Sequence, residues 1–161
     1  MVCPWCWLGK RRFELALSRR LDRPIAVRWR PYELNPDLPP EGMDRGEYMR
    51  QKFGSEDRLK ESRDRLVAAG AAVGLEYRFE RATRMPNTRA AHALARLAGQ
   101  RQVDVTEALF AAYFRDGRDI GDLDVLVEIG AAHGLDAADV RARLAARDGF
   151  DEIEREERDA Y

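Results

Sequence analysis

Cys3 and Cys6 are the only thiols in the chain, and just Pro4 and Trp5 stand between them. A pair at this spacing can open and close a disulfide within one helical turn. A structural zinc site needs about four ligands. Beyond this pair the chain offers only His92 and His133, both distant in sequence, so no metal is expected. Two cysteines cannot build the multi-bridge framework of a small secreted domain either. They suit a protein with one redox-active pair in a reducing compartment, so a cytoplasmic location is expected. An inert pair is the bland alternative, because spacing alone does not make a thiol reactive.

Reactivity has to come from position. Proline suits the first turn of a helix, where its missing N–H is not needed. Pro4 therefore predicts a helix starting there, with Cys3 at or just before the N-cap. A helix N-terminus carries free N–H groups and a partial positive charge. A free thiol with pKa ~8.5 is only ~3% thiolate at pH 7, and such a setting lowers the pKa to ~3.5–7. Cys3 is thus read as the exposed nucleophile and Cys6, one turn in, as the more buried resolving thiol. Pro4 and Trp5 tune the redox poise, which spans roughly 150 mV, or ~5 powers of ten, in proteins with such pairs. Trp5 and Trp7 are read as candidates for an apolar rim beside Cys3, against packing as the alternative, and Trp29 is read as packing. His92 is placed on a polar helix face, and neither histidine has a thiol or carboxylate nearby in sequence to make it a base.

The elements around this pair follow from periodicity and caps. The first helix is expected to reach about Arg20, with Phe13, Ala16, Leu17 and Leu21 inward. Lys10, Arg11, Arg12, Arg19 and Arg20 would form its solvated face. Asp22-Arg23-Pro24 ends it, and the alternation of Ile25, Val27 and Trp29 predicts a strand over 25–29. Pro31, Pro36, Pro39 and Pro40 make 31–42 a loop between two structural halves. The rest reads helical. Asp44 and Glu47 have capping-box spacing ahead of a helix stopped by Gly54. Ser55 caps a helix with Leu59, Ser62, Leu66 and Ala69 on one face. Residues 75–79 form a short extended link. Asn87 caps a helix burying Ala90, Leu94, Leu97 and Ala98. Another buries Val105, Leu109, Ala112 and Tyr113 and ends at Asp116-Gly117. Asp122 and Asp136 open two more, the last closed by Gly149. Residues 150–161 read as a charged, solvent-facing helix.

The chain has 161 residues, 45% apolar and 35% charged, a globular balance for one domain with a sizeable insertion. Lys plus Arg is 28 and Asp plus Glu is 29, a net charge of −1 that argues against charge-driven nucleic-acid binding. No apolar run approaches the ~20 residues of a membrane span. Neither a signal peptide nor a membrane partner is expected.

The segment Val2-Cys3-Pro4-Trp5-Cys6-Trp7-Leu8-Gly9-Lys10 resembles the active-site segment of the DsbA-like thioredoxin superfamily, in its FrnE-like branch. Pro31-Tyr32-Glu33-Leu34-Asn35-Pro36, Met85-Pro86-Asn87-Thr88 with Ala91-His92, and Tyr113 to Ile120 resemble further stretches of that family. The resemblance implies an α/β, thioredoxin-like fold with a large all-helical insertion. It divides the chain into 1–36 with the CxxC, 37–149 as insertion, and 150–161 as a helix returning toward the first part. The family carries a strand before the CxxC and a cis-proline loop with closing strands after the insertion, so the chain is expected to hold an incomplete version of the domain. The resemblance also implies that Pro86 and Asn87 face the thiol site as substrate contacts.

The leading expectation is a thiol–disulfide oxidoreductase acting on a disulfide-bearing protein or small molecule, with no bound cofactor. The family's kinship with 2-hydroxychromene-2-carboxylate isomerases and kappa-type glutathione transferases gives a second, with glutathione as co-substrate. Those relatives usually have serine at the position of Cys3 and lack the second cysteine, so the intact pair favours redox chemistry. A third reading is a non-enzymatic binding or holdase module with idle thiols. The sequence also allows a homodimer.

Overall fold

Capping residues decide where the helices begin. A computed structural model describes residues 1–20 and 25–159. It contains α1 (Pro4–Leu17), β1 (Met43–Asp44), α2 (Arg45–Phe53), α3 (Glu56–Ala71), β2 (Arg84–Met85), α4 (Arg89–Leu97), α5 (Gln102–Phe114), α6 (Leu123–Ala132), α7 (Ala137–Ala145) and α8 (Phe150–Arg158). A turn of 3-10 helix, Gly99–Arg101, leads into α5. The Asp44 carboxylate accepts the Glu47 N–H at 2.8 Å, and the Asp136 carboxylate accepts the Asp139 N–H at 2.8 Å. Ser55 and Asp122 cap α3 and α6 in the same way. Each satisfies an N–H that the helix itself leaves free. At α4 the cap position is Thr88 rather than Asn87, although the Asn87 side chain still accepts the Arg89 N–H at 3.0 Å.

Helix α4 is the hub: α5, α6, α7 and α8 all pack on it. Its alanines, Ala91, Ala93 and Ala95, are buried and let those neighbours approach closely, while Leu94 fills the space between them. Helix α1 lies against α3 and α5. The strands β1 and β2 pair antiparallel, with Met43 opposite Met85 and Asp44 opposite Arg84. Gly42, just before β1, has φ +69°, and a Cβ there would stand 2.4 Å from the Met85 carbonyl oxygen. Only glycine fits that approach.

Three expectations need correction. Residues 25–29 are in no strand; Ile25 and Val27 are exposed, and among the described residues no strand lies beside them. The Gln102 carboxamide instead bonds both backbone groups of Trp29, accepting its N–H at 3.2 Å and donating to its carbonyl at 3.0 Å. Alternation marks a segment able to pair, but a strand exists only where a neighbour supplies the ladder.

The inward face of α1 is also different. Trp7, Leu8 and Lys10 are buried, whereas Phe13 and Ala16 are exposed. Lys10 turns inward because α5 offers it a carboxylate. Leu21 and the Asp22-Arg23-Pro24 break lie outside the described residues.

Finally, α8 is not simply solvent-facing, since it buries Ile153 against the core. The loop over 31–42 is irregular as expected, but it is firmly tied. Asn35 accepts the Tyr48 hydroxyl at 2.9 Å, and the Leu38 carbonyl accepts the Asn87 amide at 2.8 Å. The buried Glu33 carboxylate takes two N–H groups of Arg89, whose remaining arm reaches Glu154 of α8 at 2.8 Å.

Candidate thiol site

Pro4 opens α1, and Cys3 occupies its N-cap with φ −95° and ψ 109°. The Cys3 carbonyl accepts the N–H groups of Cys6 at 3.1 Å and Trp7 at 3.4 Å, which closes the first turn. The turn is braced from outside. The Tyr77 hydroxyl donates to the Pro4 carbonyl at 2.7 Å. Burial pushes the Tyr77 phenol up, which keeps it protonated as that donor. Tyr77 meets the Trp7 ring edge-on at 5.2 Å and stacks on Phe79 at 5.2 Å.

Below the motif, the Trp7 indole N–H donates to Glu107 of α5 at 2.9 Å. Lys10 and Arg11 reach the same carboxylate at 2.6 and 2.7 Å. Burial alone would raise the Glu107 carboxyl. Hydrogen bonds from Lys10 and Trp7 outweigh it and hold the group below its ordinary value.

Both cysteines are free thiols. The Cys3 pKa is lowered to about 6, chiefly by a hydrogen bond from the Cys6 thiol. Partial burial opposes this, and the Cys6 and Trp5 amides add to it. The same bond drives Cys6 strongly upward, because losing its proton would set two thiolates side by side. The pair therefore holds one thiolate and one thiol, with the negative charge at the helix tip.

The accessibility expected for the two sulfurs is reversed: Cys3 is half-buried and Cys6 exposed. Trp7 and Leu8 take the inward direction of the first turn, which leaves Cys6 outside. Cys3 faces a cavity of about 220 Å³ instead, and Cys6 does not line it. Trp5 stands at the cavity mouth, half exposed, and Leu66, Phe79 and Met85 form apolar wall.

The family model for the DSBA-like thioredoxin domain matches residues 1–161. The chain belongs to this family. Its fold is the DsbA-like thioredoxin fold with a helical insertion, here mostly helical with a small two-stranded sheet. The crystal structure of the probable DsbA oxidoreductase SCO1869 from Streptomyces coelicolor is similar, with a TM-score of 0.83 and 35% identity, over 98% of this chain and 70% of that one. The uncharacterized protein YwbO of Bacillus subtilis (strain 168) is 27% identical over 152 residues, 91% of this chain and 68% of its own length.

Within this DSBA-like domain Trp7, Pro86, Asn87 and the two histidines do not line the cavity beside Cys3. Trp7 is buried in the aromatic cluster with its N–H committed to Glu107, so it braces the motif and does not rim the cavity. Pro86 and Asn87 do not line the cavity; their neighbour Met85 does. Asn87 spends both ends of its amide on Leu38 and Arg89. His92 is buried rather than on a polar face, because α4 is packed on most sides, and burial pushes it well below its ordinary pKa. His133 ends α6 with Nδ1 at 2.8 Å from the Ile129 carbonyl. Sequence reasoning missed Tyr77, Met85 and the cationic wall of the cavity formed by Arg45, Lys52 and Arg63. Only the Met85-Pro86-Asn87 resemblance pointed near any of them.

Proposed function

We propose that this domain exchanges disulfides, with Cys3 as nucleophile and Cys6 as resolving thiol. The Cys3 thiolate attacks one sulfur of a substrate disulfide, and the other substrate sulfur leaves as a thiolate. Cys6 then gives up its proton to solvent and attacks the Cys3 sulfur. The second substrate thiolate leaves, the protein becomes the disulfide, and the substrate has gained two electrons. The reverse sequence oxidises a dithiol. Pro4 and Trp5 set the poise between the two directions. No metal or bound cofactor takes part, and a reducing, cytoplasmic compartment fits a single pair of this kind.

One observation carries this reading: Cys3 caps the N-terminus of α1 with Cys6 in the turn that follows, a setting that favours the Cys3 thiolate. Membership of the DSBA-like family supports it, as does the resemblance of residues 2–10 to the FrnE-like branch.

The test is a pair of single variants. Cys6→Ser is expected to stop at a mixed disulfide between Cys3 and the substrate, visible by mass spectrometry. Cys3→Ser is expected to lose disulfide turnover altogether. Full turnover by Cys3→Ser would overturn the assignment. Glutathione-dependent isomerisation retained in Cys6→Ser would favour the isomerase reading instead.

A further inference from the structure

The cavity beside Cys3 is mostly apolar, with the hydroxyl residues Tyr48 and Ser62 and three cations, Arg45, Lys52 and Arg63, in its wall, and among the described residues no carboxylate lines it. Arg45 is 5% exposed, yet among the described residues it has no ion pair. One of its terminal N–H groups donates to the Phe79 carbonyl at 3.3 Å, and its Nε is buried without a partner. The Arg63 Nε is likewise buried and unpartnered. Both guanidinium groups sit over the same Phe79 ring, 5.7 and 6.0 Å from its centre. Burial, and then the charge of Arg45, push the Arg63 guanidinium down; only the exposed Glu80 acts the other way, at a distance. Among the described residues Lys52 reaches no anion either; its ammonium contacts Tyr48. Burying cations side by side without a counter-charge is costly, and an arriving anion relieves that cost.

We propose that this cavity binds a small disulfide or thiol whose compact apolar body carries a carboxylate or sulfonate, with the anion at the Arg45–Arg63 end and the sulfur at Cys3. The proposal rests on Cys3 being the attacking sulfur. A cavity of ~150 Å³ admits benzene, so one of about 220 Å³ admits a ring bearing a charged substituent. Phe79 and Met85 supply the apolar contact, while the unused N–H groups of Arg45 and Arg63 supply charge-assisted hydrogen bonds.

The test compares two aromatic disulfides reacting with the reduced protein at pH 7. One is 5,5′-dithiobis(2-nitrobenzoate), which is anionic, and the other is neutral 4,4′-dithiodipyridine. Each rate is divided by that of the same reagent with 2-mercaptoethanol. A normalised preference of about tenfold or more for the anionic reagent is expected, falling about tenfold in Arg63→Gln and Arg45→Gln. Arg141→Gln, the same charge change on the exposed face of α7, is expected to keep the preference. A preference that is absent, or equal in Arg63→Gln and the parent, overturns the proposal. If neither reagent reacts at Cys3, the redox reading fails by itself. The cavity is then judged by calorimetry with naphthalene-2-sulfonate on Cys3→Ser: binding that Arg63→Gln abolishes sustains it, and no binding sinks it. Arg63→Gln and Lys52→Gln are the variants to rely on should Arg45→Gln fail to fold.

Discussion

Lys10 tolerates burial, with 2% of its side chain exposed, because Glu14 and Glu107 each stand 2.6 Å from its ammonium. Removing the Glu107 charge strips that ammonium of one partner and leaves Arg11 without its 2.7 Å contact. Glu107→Gln is expected to destabilise the protein by about 2 kcal/mol, seen as a lower urea midpoint at unchanged slope. Glu14→Gln, at a more exposed carboxylate, is expected to cost less than half of that. The same cluster shows what single residues reveal in advance. The placement of the Cys3–Cys6 pair at a helix start was legible because it depends on local spacing and on Pro4. The inward turn of Lys10 was not, since it depends on a carboxylate 97 positions away. The exposure of Cys6 was misjudged for a related reason: which way a side chain on the first turn faces is set by what packs beneath it. Arg45, buried without an ion pair among the described residues, follows directly after a capping Asp44, where a surface position is the natural reading.

At the scale of elements, caps and stops carried well because they are local hydrogen-bonding requirements. Asp44, Ser55, Asp122 and Asp136 cap where their spacing said, and Gly54 closes α2 in the left-handed conformation at φ 69°. Strands carried poorly because pairing is not local. The alternating 25–29 segment is in no strand, whereas the β1–β2 pair, each strand two residues long, had too little sequence for any pattern to mark it. That small pair depends on Gly42. Gly42→Ala is expected to cost about 1–3 kcal/mol, because it combines a strained φ with a clash against the Met85 carbonyl. Faster amide exchange at Met43 and Met85 would locate the damage. Wild-type stability with unchanged exchange would show that the approach is less tight than 2.4 Å.

For the molecule as a whole, α4 organises the helices while α1 brings the thiols to the edge of the bundle, over the cavity shared with α2, α3 and β2. Coupling between the thiol state and folding then has a definite sign. Cys3 falls from an ordinary 9.0 to about 6 on folding of the reduced chain. The unfolded state therefore binds more protons between those values, and stability rises with pH there. The contribution is complete above the unfolded pKa and is lost as pH falls through about 6. The upward shift of Cys6 acts only above its ordinary value and leaves this window alone. The oxidised protein has no thiol to titrate. The melting temperature of the reduced form minus that of the oxidised form is thus expected to increase from pH 5 to pH 8.5, and a flat difference would remove the thiolate from the folded state.

The most direct measurement is the rate of Cys3 alkylation by iodoacetamide against pH, followed on the Cys3 peptide by mass spectrometry. A midpoint near 6 is expected, with the thiolate dominant at pH 7. A midpoint near ~8.5, the value of a thiol free in solution, would contradict the claim that the start of α1 and the Cys6 thiol together activate Cys3.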